Sequence, residues 1–316
     1  MPNECLHPYY IRDQNLYVPC GRCPNCRSRA RYDLSTRIFL ETALAGSAYF
    51  ITLTYNEDNL PCTEQGKPCF NKKQVQDFMK RVRKKLEPSR LRFFLTCEYG
   101  DGKEAKQYLQ QYGTEFGRSH YHAIFICDNK RPLREVRDIV QASWPFGYSS
   151  VSSCSMARIQ YATQYALKDE DYLYKKYEKG DPSKPFRLFS LKPGLGSGFG
   201  KDEKPVIGFL NDYLFNDGLH FRDRLTVDGK SRGIPRYWKD RIDPSIAMAL
   251  KEKGLEFLQE KQQELAETRL ANCILASDGK EIWRDGKLLL DFTKDNEILR
   301  KRRAIRQLRK SRKDSL

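Results

Sequence analysis

Three segments of the chain carry a pattern that constrains the fold to contain a β-sheet. Each is eight or nine residues long and rich in β-branched and aromatic residues: AYFITLTY at 48–55, LRFFLTCEY at 91–99 and SHYHAIFIC at 119–127. Such runs predict strands. Between the first two lies residues 72–86, an amphipathic segment that predicts a helix. Its apolar residues recur at helical spacing: Val75, Phe78, Met79, Val82 and Leu86.

Further elements follow in an order that suggests the topology. Residues 27–45, 132–142 and 155–168 predict helices, and residues 148–153 predict a short strand. The core order strand–helix–strand–strand–helix is typical of a split βαβ arrangement. We therefore expect an α+β fold with an antiparallel central sheet and helices on one face.

Composition divides the chain into four segments. The first is a cysteine-rich stretch with a helix, the second holds the predicted sheet, the third a glycine-rich loop and a hairpin, and the fourth a helical extension with a basic tail. Their limits are 1–47, 48–172, 173–242 and 243–316.

Details of the last two segments are also predicted. The glycine-rich loop, 192–200, is expected to be flexible, and it lacks the Gly-Lys-Ser/Thr ending of a phosphate-binding loop, so we infer no nucleotide binding. Residues 209–229 predict a hairpin, and residues 243–272 predict a long helix. The block from 300 to 316 contains nine Lys or Arg residues and a single acid. It is expected to contact phosphate backbone, or else to be a solvated tail.

The net charge of the chain is +16, with 57 basic and 41 acidic residues. A strongly basic surface favours a nucleic-acid partner, although a well-solvated surface without a specific partner has the same composition. No apolar run approaches the length of a membrane span, and the N-terminus is not a signal peptide. We expect a soluble intracellular protein without a membrane partner or a small-molecule cofactor.

A cysteine motif lies near the N-terminus. Cys20, Cys23 and Cys26 are spaced three apart, which lets their thiolates converge on one tetrahedral ion, with Cys5 or His7 as the fourth ligand. The spacing predicts a structural zinc site. A set of reduced thiols remains the alternative, because the usual paired Cys-x-x-Cys arrangement is incomplete.

His120 and His122 form a second candidate metal site. Side chains two apart on a strand point to the same face, about 7 Å apart along the strand. Glu98, near the end of the preceding predicted strand, would complete a site with two histidines and one carboxylate if the strands pair antiparallel. Such a site leaves coordination positions for phosphate oxygens, and its ion would act as a Lewis acid. Two incidental surface histidines are the alternative.

Tyr161 and Tyr165 are one helical turn apart and share a face, which Lys168 joins. A phenol has a pKa of about 10, so a nearby cation or metal is needed to make it a nucleophile. Two aromatic side chains packed into the core have the same spacing.

Taken together, these motifs resemble the HUH endonucleases, named for His-hydrophobe-His, which also carry a catalytic-tyrosine helix. More narrowly, the sequence resembles the replication initiators of the gokushoviruses, single-stranded DNA phages of the Microviridae. The resemblance covers roughly residues 18–242. The matching stretches are VPCGRCPNCR from Val18, FITLTYNEDNLP from Phe50, CEYG from Cys97, GRSHYHAIFI from Gly117, WPFGYSSV from Trp144, YATQYALK from Tyr161, SLKPGLG from Ser190 and IPRYWKDRI from Ile234.

The resemblance implies a mechanism. His120, His122 and Glu98 would hold Mg²⁺ or Mn²⁺ against a phosphate of single-stranded DNA at a replication origin. One tyrosine would attack and leave a 5′-phosphotyrosine and a free 3′-OH for the host replication machinery. The other would act in the closing round of rolling-circle replication, and Lys168 would stabilise phenolate or phosphate. Such an enzyme works in the host bacterial cytoplasm.

The chain departs from the family pattern at two positions. Ser119 stands where relatives usually have Pro, and Gln164 stands where they commonly have a basic residue. Two other functions stay open. One is a non-catalytic, zinc-dependent nucleic-acid-binding protein. The other is a plasmid initiator, relaxase or single-strand transposase with the same chemistry.

Overall fold

The structure is a computed structural model. It describes residues 5–14, 16–100, 110, 117–166, 180–199, 205–215, 222–276, 283–284 and 287–288. Lys168, the side chain of Tyr165 and the basic block 300–316 lie outside the described residues. The chain forms two compact units, one of Arg31–Ile242 and one of Met1–Ala30 with Asp243–Leu316. The four-segment division stays a prediction.

The helices and strands are numbered in chain order. The helices are α1 Pro24–Ala43, α2 Lys72–Leu86, α3 Leu133–Ser143, α4 Met156–Ala166, α5 Pro205–Leu214, α6 Arg236–Lys239 and α7 Pro244–Ala276. The strands are β1 Tyr9–Ile11, β2 Leu16–Val18, β3 Ser47–Thr54, β4 Leu91–Tyr99, β5 Ser119–Cys127, β6 Ser149–Ser153, β7 Arg187–Phe189, β8 Arg224–Val227, β9 Lys230–Gly233, β10 Trp283–Arg284 and β11 Lys287–Leu288. Two short 3-10 helices span Arg12–Gln14 and Glu57–Asn59.

The central sheet has five strands in the order β6-β3-β5-β4-β7. Every neighbouring pair is antiparallel. Strands β3 and β4, joined through α2, therefore run parallel to each other with β5 inserted between them, which is a split βαβ unit. The predicted α+β class with an antiparallel central sheet is confirmed.

Alternation along the strands gives the sheet two buried faces. On one face, Tyr121 and Phe125 of β5 pack with Phe78 of α2 and Val136 of α3. On the opposite face, Ile124 of β5 packs in a second cluster with residues of α1 and α4: Ile38, Ile159 and Ala162. Helices thus cover both faces, and the prediction of helices on one face is corrected to include α1 and α4 on the other. Strands β4 and β5 are buried at nearly every position, as strands covered on both faces are.

Helix α2 shows why the sequence forms this layer. Its N-cap is Asn71, whose side chain accepts a hydrogen bond from the backbone N–H of Gln74 at 3.0 Å. All five apolar residues of the predicted stripe are buried. The helix is therefore packed against the sheet along its length.

The hairpin predicted at 209–229 is wrong in its first part. Helix α5 occupies Pro205–Leu214 and buries Val206, Leu210 and Leu214, which recur at helical spacing. The hairpin is shorter and later, formed by β8 and β9 around Asp228 and Gly229, both with positive φ. Asp-Gly is a preferred pair for such a turn. The long helix predicted at 243–272 is confirmed as α7.

The glycine-rich loop is held by hydrogen bonds, which corrects the prediction of a flexible loop. The backbone carbonyls of Pro193 and Gly194 each accept from Arg92 at 2.9 Å. That of Leu195 accepts from Arg37 Nε at 2.9 Å, and Leu195 itself is buried. The glycines allow these close approaches instead of providing mobility.

None of the helices in the described part of the chain combines the length and the apolar character of a membrane span.

Candidate metal and tyrosine site

Strand pairing brings His120, His122 and Glu98 together. His120 lies directly opposite Glu98 of β4, and His122 lies two residues further along β5 on the same face. This is the face that α1 and α4 cover. Because the three residues occupy the adjacent strands β4 and β5, their positions follow from the register of the sheet and not from a loop.

The geometry of this cluster fits a metal ion. Glu98 Oε2 lies 3.6 Å from His120 Nε2 and 3.5 Å from His122 Nε2. One ligand atom of each residue lies within 4.8 Å of the others. Ligands about 2.1 Å from one ion are separated by roughly 3.0–3.4 Å at octahedral to tetrahedral angles. The two Glu98–histidine distances are therefore close to those of a bound divalent cation, and the donor set of two imidazoles and a carboxylate suits one.

The remaining ring nitrogens orient the two imidazoles. His120 Nδ1 lies 3.3 Å from the carbonyl oxygen of Arg118, which can only accept, so this nitrogen carries the proton. His122 Nδ1 lies 3.1 Å from the hydroxyl of Thr52 on β3. The proton on Nδ1 of His120 leaves its Nε2 as the metal-binding atom, and the His122 tautomer in which Nδ1 donates to Thr52 would leave Nε2 free in the same way. Burial, aided by His120, lowers the pKa of His122, although Glu98 opposes this shift. Burial thus favours the neutral imidazole that a metal requires.

The start of β5 is held close to the end of β4. The N–H of Gly117 donates to the carbonyl of Gly100 at 2.9 Å, and the N–H of Gly100 donates to the carbonyl of Arg118 at 3.0 Å. A Cβ at position 117 would lie 2.3 Å from the Gly100 oxygen, so only glycine fits. This contact fixes the carbonyl that orients His120.

Tyr161 lies beside the cluster. Its ring centroid is 5.0 Å from that of His122 in an edge-on arrangement, and 6.3 Å from that of Phe50. Ile159 and Ala162 on the same helix are fully buried against the sheet and set the position of Tyr161, which is 36% exposed. The tyrosine therefore borders the candidate metal site and is accessible from outside.

The other predicted catalytic residues are described less fully. Tyr165 belongs to α4 one turn after Tyr161, but its side chain lies outside the described residues, as does all of Lys168. The roles predicted for both stay predictions. The structure brings Tyr161, His120, His122 and Glu98 together.

Three neighbours of the site escaped the sequence interpretation. Thr52 contacts His122, Phe50 stacks on the ring of His122 at 5.4 Å, and the guanidinium carbon of Arg158 lies 5.9 Å from the centre of the Phe50 ring. Arg158 is exposed and precedes Tyr161 by three residues on α4. The i, i+3 spacing of Arg158 and Tyr161 is the only sequence signal that would have selected any of the three.

The four predicted cysteines form a separate cluster in the other compact unit. One sulfur of each of Cys5, Cys20, Cys23 and Cys26 lies within 4.8 Å of the others. Burial raises the pKa of Cys5 and of Cys26. Burial also raises that of Cys20, but hydrogen bonds from backbone amides, including that of Cys23, outweigh it and bring the pKa of Cys20 to about 6. Both candidate metal sites predicted from the sequence thus have converging ligand atoms, and the geometry does not identify either metal.

A family comparison now adds to this geometry. Residues 48–170 match the family described as Replication-associated protein ORF2/G2P. The match runs from β3 through α4 and contains Glu98, His120, His122 and Tyr161. The part of the chain that forms most of the sheet and carries this cluster is therefore similar to replication-associated proteins.

Two individual proteins are similar over most of the chain. Replication-associated protein ORF2 of Spiroplasma virus 4 is 22% identical over 287 residues, which cover 83% of this chain and 77% of that protein. Replication-associated protein VP4 of Bdellovibrio phage phiMH2K is 24% identical over 272 residues, which cover 79% and 74%. No solved structure matches the chain. The expected resemblance to phage replication proteins is confirmed at this level.

Proposed function

We propose that this protein is an HUH-type replication initiator that nicks single-stranded origin DNA of a small phage, as gokushovirus initiators are expected to do. The observation that carries the proposal is the contact between Tyr161 and His122 within the His120–His122–Glu98 cluster. A nucleophile beside a site with two histidines and one carboxylate is the arrangement that tyrosine-dependent phosphotransfer requires. The similarity to phage replication-associated proteins supports the same function.

The residues divide the chemistry between them. His120, His122 and Glu98 would hold Mg²⁺ or Mn²⁺, which supplies Lewis-acid polarisation of the scissile phosphate. The Tyr161 oxygen attacks the phosphorus, a Tyr–O–P bond forms, and the bond from phosphorus to the 3′ oxygen breaks. The phenol proton passes to solvent, and the departing oxygen takes up a proton to give a 3′-OH. One phosphate ester replaces another, so the step is reversible and permits religation.

The surroundings of Tyr161 suit this role. The phenol borders solvent, so a strand can approach it. Arg158, exposed one turn earlier on α4, would contact a phosphate that flanks the scissile one. Phe50, which contacts both Tyr161 and Arg158, would hold these two side chains in position.

Tyr165 and Lys168 complete the proposal. One helical turn separates Tyr165 from Tyr161, so the second phenol would act in the closing round of rolling-circle replication. Lys168 would stabilise the phenolate or the phosphate. The 3′-OH would be extended by host replication machinery in the bacterial cytoplasm, and the net charge of +16 favours the DNA partner.

The proposal is tested with a pool of hairpin oligonucleotides that contain a randomised single-stranded segment, in Mn²⁺ or Mg²⁺. Half of the pool carries a 3′ label and half a 5′ label. We expect the 3′ label, and not the 5′ label, to become covalently attached to the protein, because the tyrosine retains the 5′ phosphate of the downstream fragment. The 5′-labelled fragment should be released with a free 3′-OH.

Variants assign the nucleophile. Tyr161→Phe should reduce the adduct at least tenfold, and Tyr161→Phe with Tyr165→Phe should abolish it. Tyr32→Phe, at an exposed tyrosine of α1, is the matched control and should react like wild type. An undiminished adduct in the double variant contradicts the proposal. DNA binding without an adduct in any divalent metal, unaffected by His120→Ala, would favour the non-catalytic alternative.

A further inference from the structure

We propose that Cys5, Cys20, Cys23 and Cys26 bind one structural Zn²⁺ ion that holds the β1–β2 hairpin to the start of α1. This site is independent of the nicking chemistry proposed above. It uses four thiols from two short segments, and the inference rests on their geometry, their hydrogen bonds and the composition of the small core that they form.

The sulfur positions match tetrahedral thiolate coordination. The Cys20 and Cys26 sulfurs are 4.0 Å apart, and those of Cys5 and Cys23 are 3.9 Å apart. Four sulfurs at about 2.3 Å from a central ion are separated by about 3.8 Å. Two disulfides would draw the sulfurs into pairs about 2.05 Å apart. The four sulfurs are not paired in this way, and all lie within 4.8 Å of one another.

Backbone hydrogen bonds support thiolates at this centre. The N–H of Leu6 donates to Cys23 Sγ at 3.4 Å, that of Cys20 donates to Cys5 Sγ at 3.2 Å, and that of Cys23 donates to Cys20 Sγ at 3.4 Å. Three of the four sulfurs thus accept an amide proton. Such contacts orient metal ligands and offset the negative charge of four thiolates on one divalent ion.

The small core of this region consists almost entirely of sulfur ligands. Its buried residues are Leu6, Cys23 and Cys26, with Cys5 and Cys20 packed against them. The hairpin contributes little, since β1 and β2 have three residues each and Tyr9, Tyr10 and Tyr17 are exposed. A two-stranded hairpin is marginal without further support. An ion bound by four thiolates supplies folding free energy that apolar burial does not supply here.

The ligand type favours zinc over the hard cations. Soft thiolates favour zinc over magnesium or calcium, and a closed set of four protein ligands is typical of structural and not catalytic zinc. The other cysteines that the structure describes, at 62, 69, 97, 127 and 154, join no such cluster. The thiols at 5, 20, 23 and 26 therefore converge because of where the fold places them, and not because the chain has many cysteines.

The test uses the full chain purified without chelator, as a His120→Ala, His122→Ala variant that removes the other candidate centre. Mass spectrometry of the metal should find about one zinc per chain. Exchange for Co²⁺ should give a thiolate-to-cobalt charge-transfer band and the visible bands of a tetrahedral ion. A further Cys23→Ser substitution should abolish both signals, and Cys62→Ser, at an exposed cysteine, should leave them unchanged.

A second measurement keeps the inference falsifiable if Cys23→Ser fails to fold. Removal of zinc from the unsubstituted chain should accelerate tryptic cleavage after Arg12 and Arg22, which are exposed near the cluster, and added zinc should restore protection. Absence of zinc and of the cobalt charge-transfer band overturns the proposal. So does a Cys23→Ser variant that retains both, or a cleavage rate that chelation does not change. Nicking activity decides none of these outcomes.

Discussion

The hydroxyl of Thr52 contacts the ring nitrogen of His122 that faces away from Glu98, at 3.1 Å. This contact holds the rotation of the imidazole, since the hydroxyl can pair with Nδ1 as donor or acceptor. We predict that Thr52→Val, which removes the hydroxyl and keeps the shape, weakens Mn²⁺ binding by about 10–100-fold, as loss of an outer hydrogen bond to a histidine ligand typically does. Isothermal titration calorimetry measures the dissociation constant.

The control for this prediction is Thr42→Val. Thr42 donates to the carbonyl of Phe39 at 2.7 Å within α1, away from the three candidate ligands. It should bind Mn²⁺ like wild type. An unchanged dissociation constant for Thr52→Val would mean that Thr52 does not orient His122.

At the same scale, the sequence supplied the ligands but not their supports. His120 and His122 followed from the two-residue period of a strand, and Glu98 followed from assumed antiparallel pairing. Thr52 could not be selected, because its contact depends on the exact register between β3 and β5. The stacking of Phe50 on His122 depends on the same register. The contact of Arg158 with Phe50 depends in addition on how α4 packs on the sheet, so the i, i+3 spacing to Tyr161 alone does not establish it.

At the scale of elements, a buried ion pair fixes the glycine-rich loop to the sheet. Glu41 of α1 accepts from Arg92 of β4 and from the N–H of Gly196, and both charged side chains are buried. We predict that Glu41→Gln lowers the free energy of unfolding by about 3 kcal/mol or more, because it leaves the Arg92 charge buried without its carboxylate. Urea denaturation measures the change.

Two further variants define the cause. Glu41→Gln with Arg92→Met removes both charges and should recover much of the loss. Arg90→Gln breaks the pair with Asp128, in which the Arg90 side chain is 62% exposed, and should cost about 1 kcal/mol or less. Equal costs for Glu41→Gln and Arg90→Gln would contradict a special role for the buried pair.

The same scale shows where sequence patterns misled. Glycines at 194, 196 and 198 suggested a flexible loop, yet the first two let the loop approach Tyr237 and Arg37 closely, since a Cβ at either position would crowd those side chains. The apolar residues of α5 were read as a strand because the helical spacing of Val206, Leu210 and Leu214 begins before residue 209. The periodic helix α2 and the long helix α7, which is rich in Glu, Lys and Gln, were predicted well, since both signals are local.

For the whole molecule, the topology could be predicted because the strand and helix order leaves few arrangements, and split βαβ is one of them. Which helices cover the second face could not be predicted, because this depends on contacts far apart in sequence. Ile38 and Ile159 meet in one cluster although 121 residues separate them (159 − 38 = 121). Such long-range packing is set by the joint fit of helices to the sheet.

Charge acts at the scale of the whole chain. The net charge is +16, and nine of the basic residues lie between 300 and 316. Replacing these nine by glutamine lowers the net charge to +7 (16 − 9 = 7). Each phosphate contact contributes about −0.7 to the slope of the logarithm of affinity for single strands against the logarithm of salt concentration. We predict weaker binding of a fluorescent oligonucleotide and a shallower slope, measured by anisotropy at several NaCl concentrations.

The nicking rate at saturating DNA should stay within about twofold of wild type, because the tail would supply affinity without sequence readout or chemistry. An unchanged slope would instead identify the segment as a solvated tail.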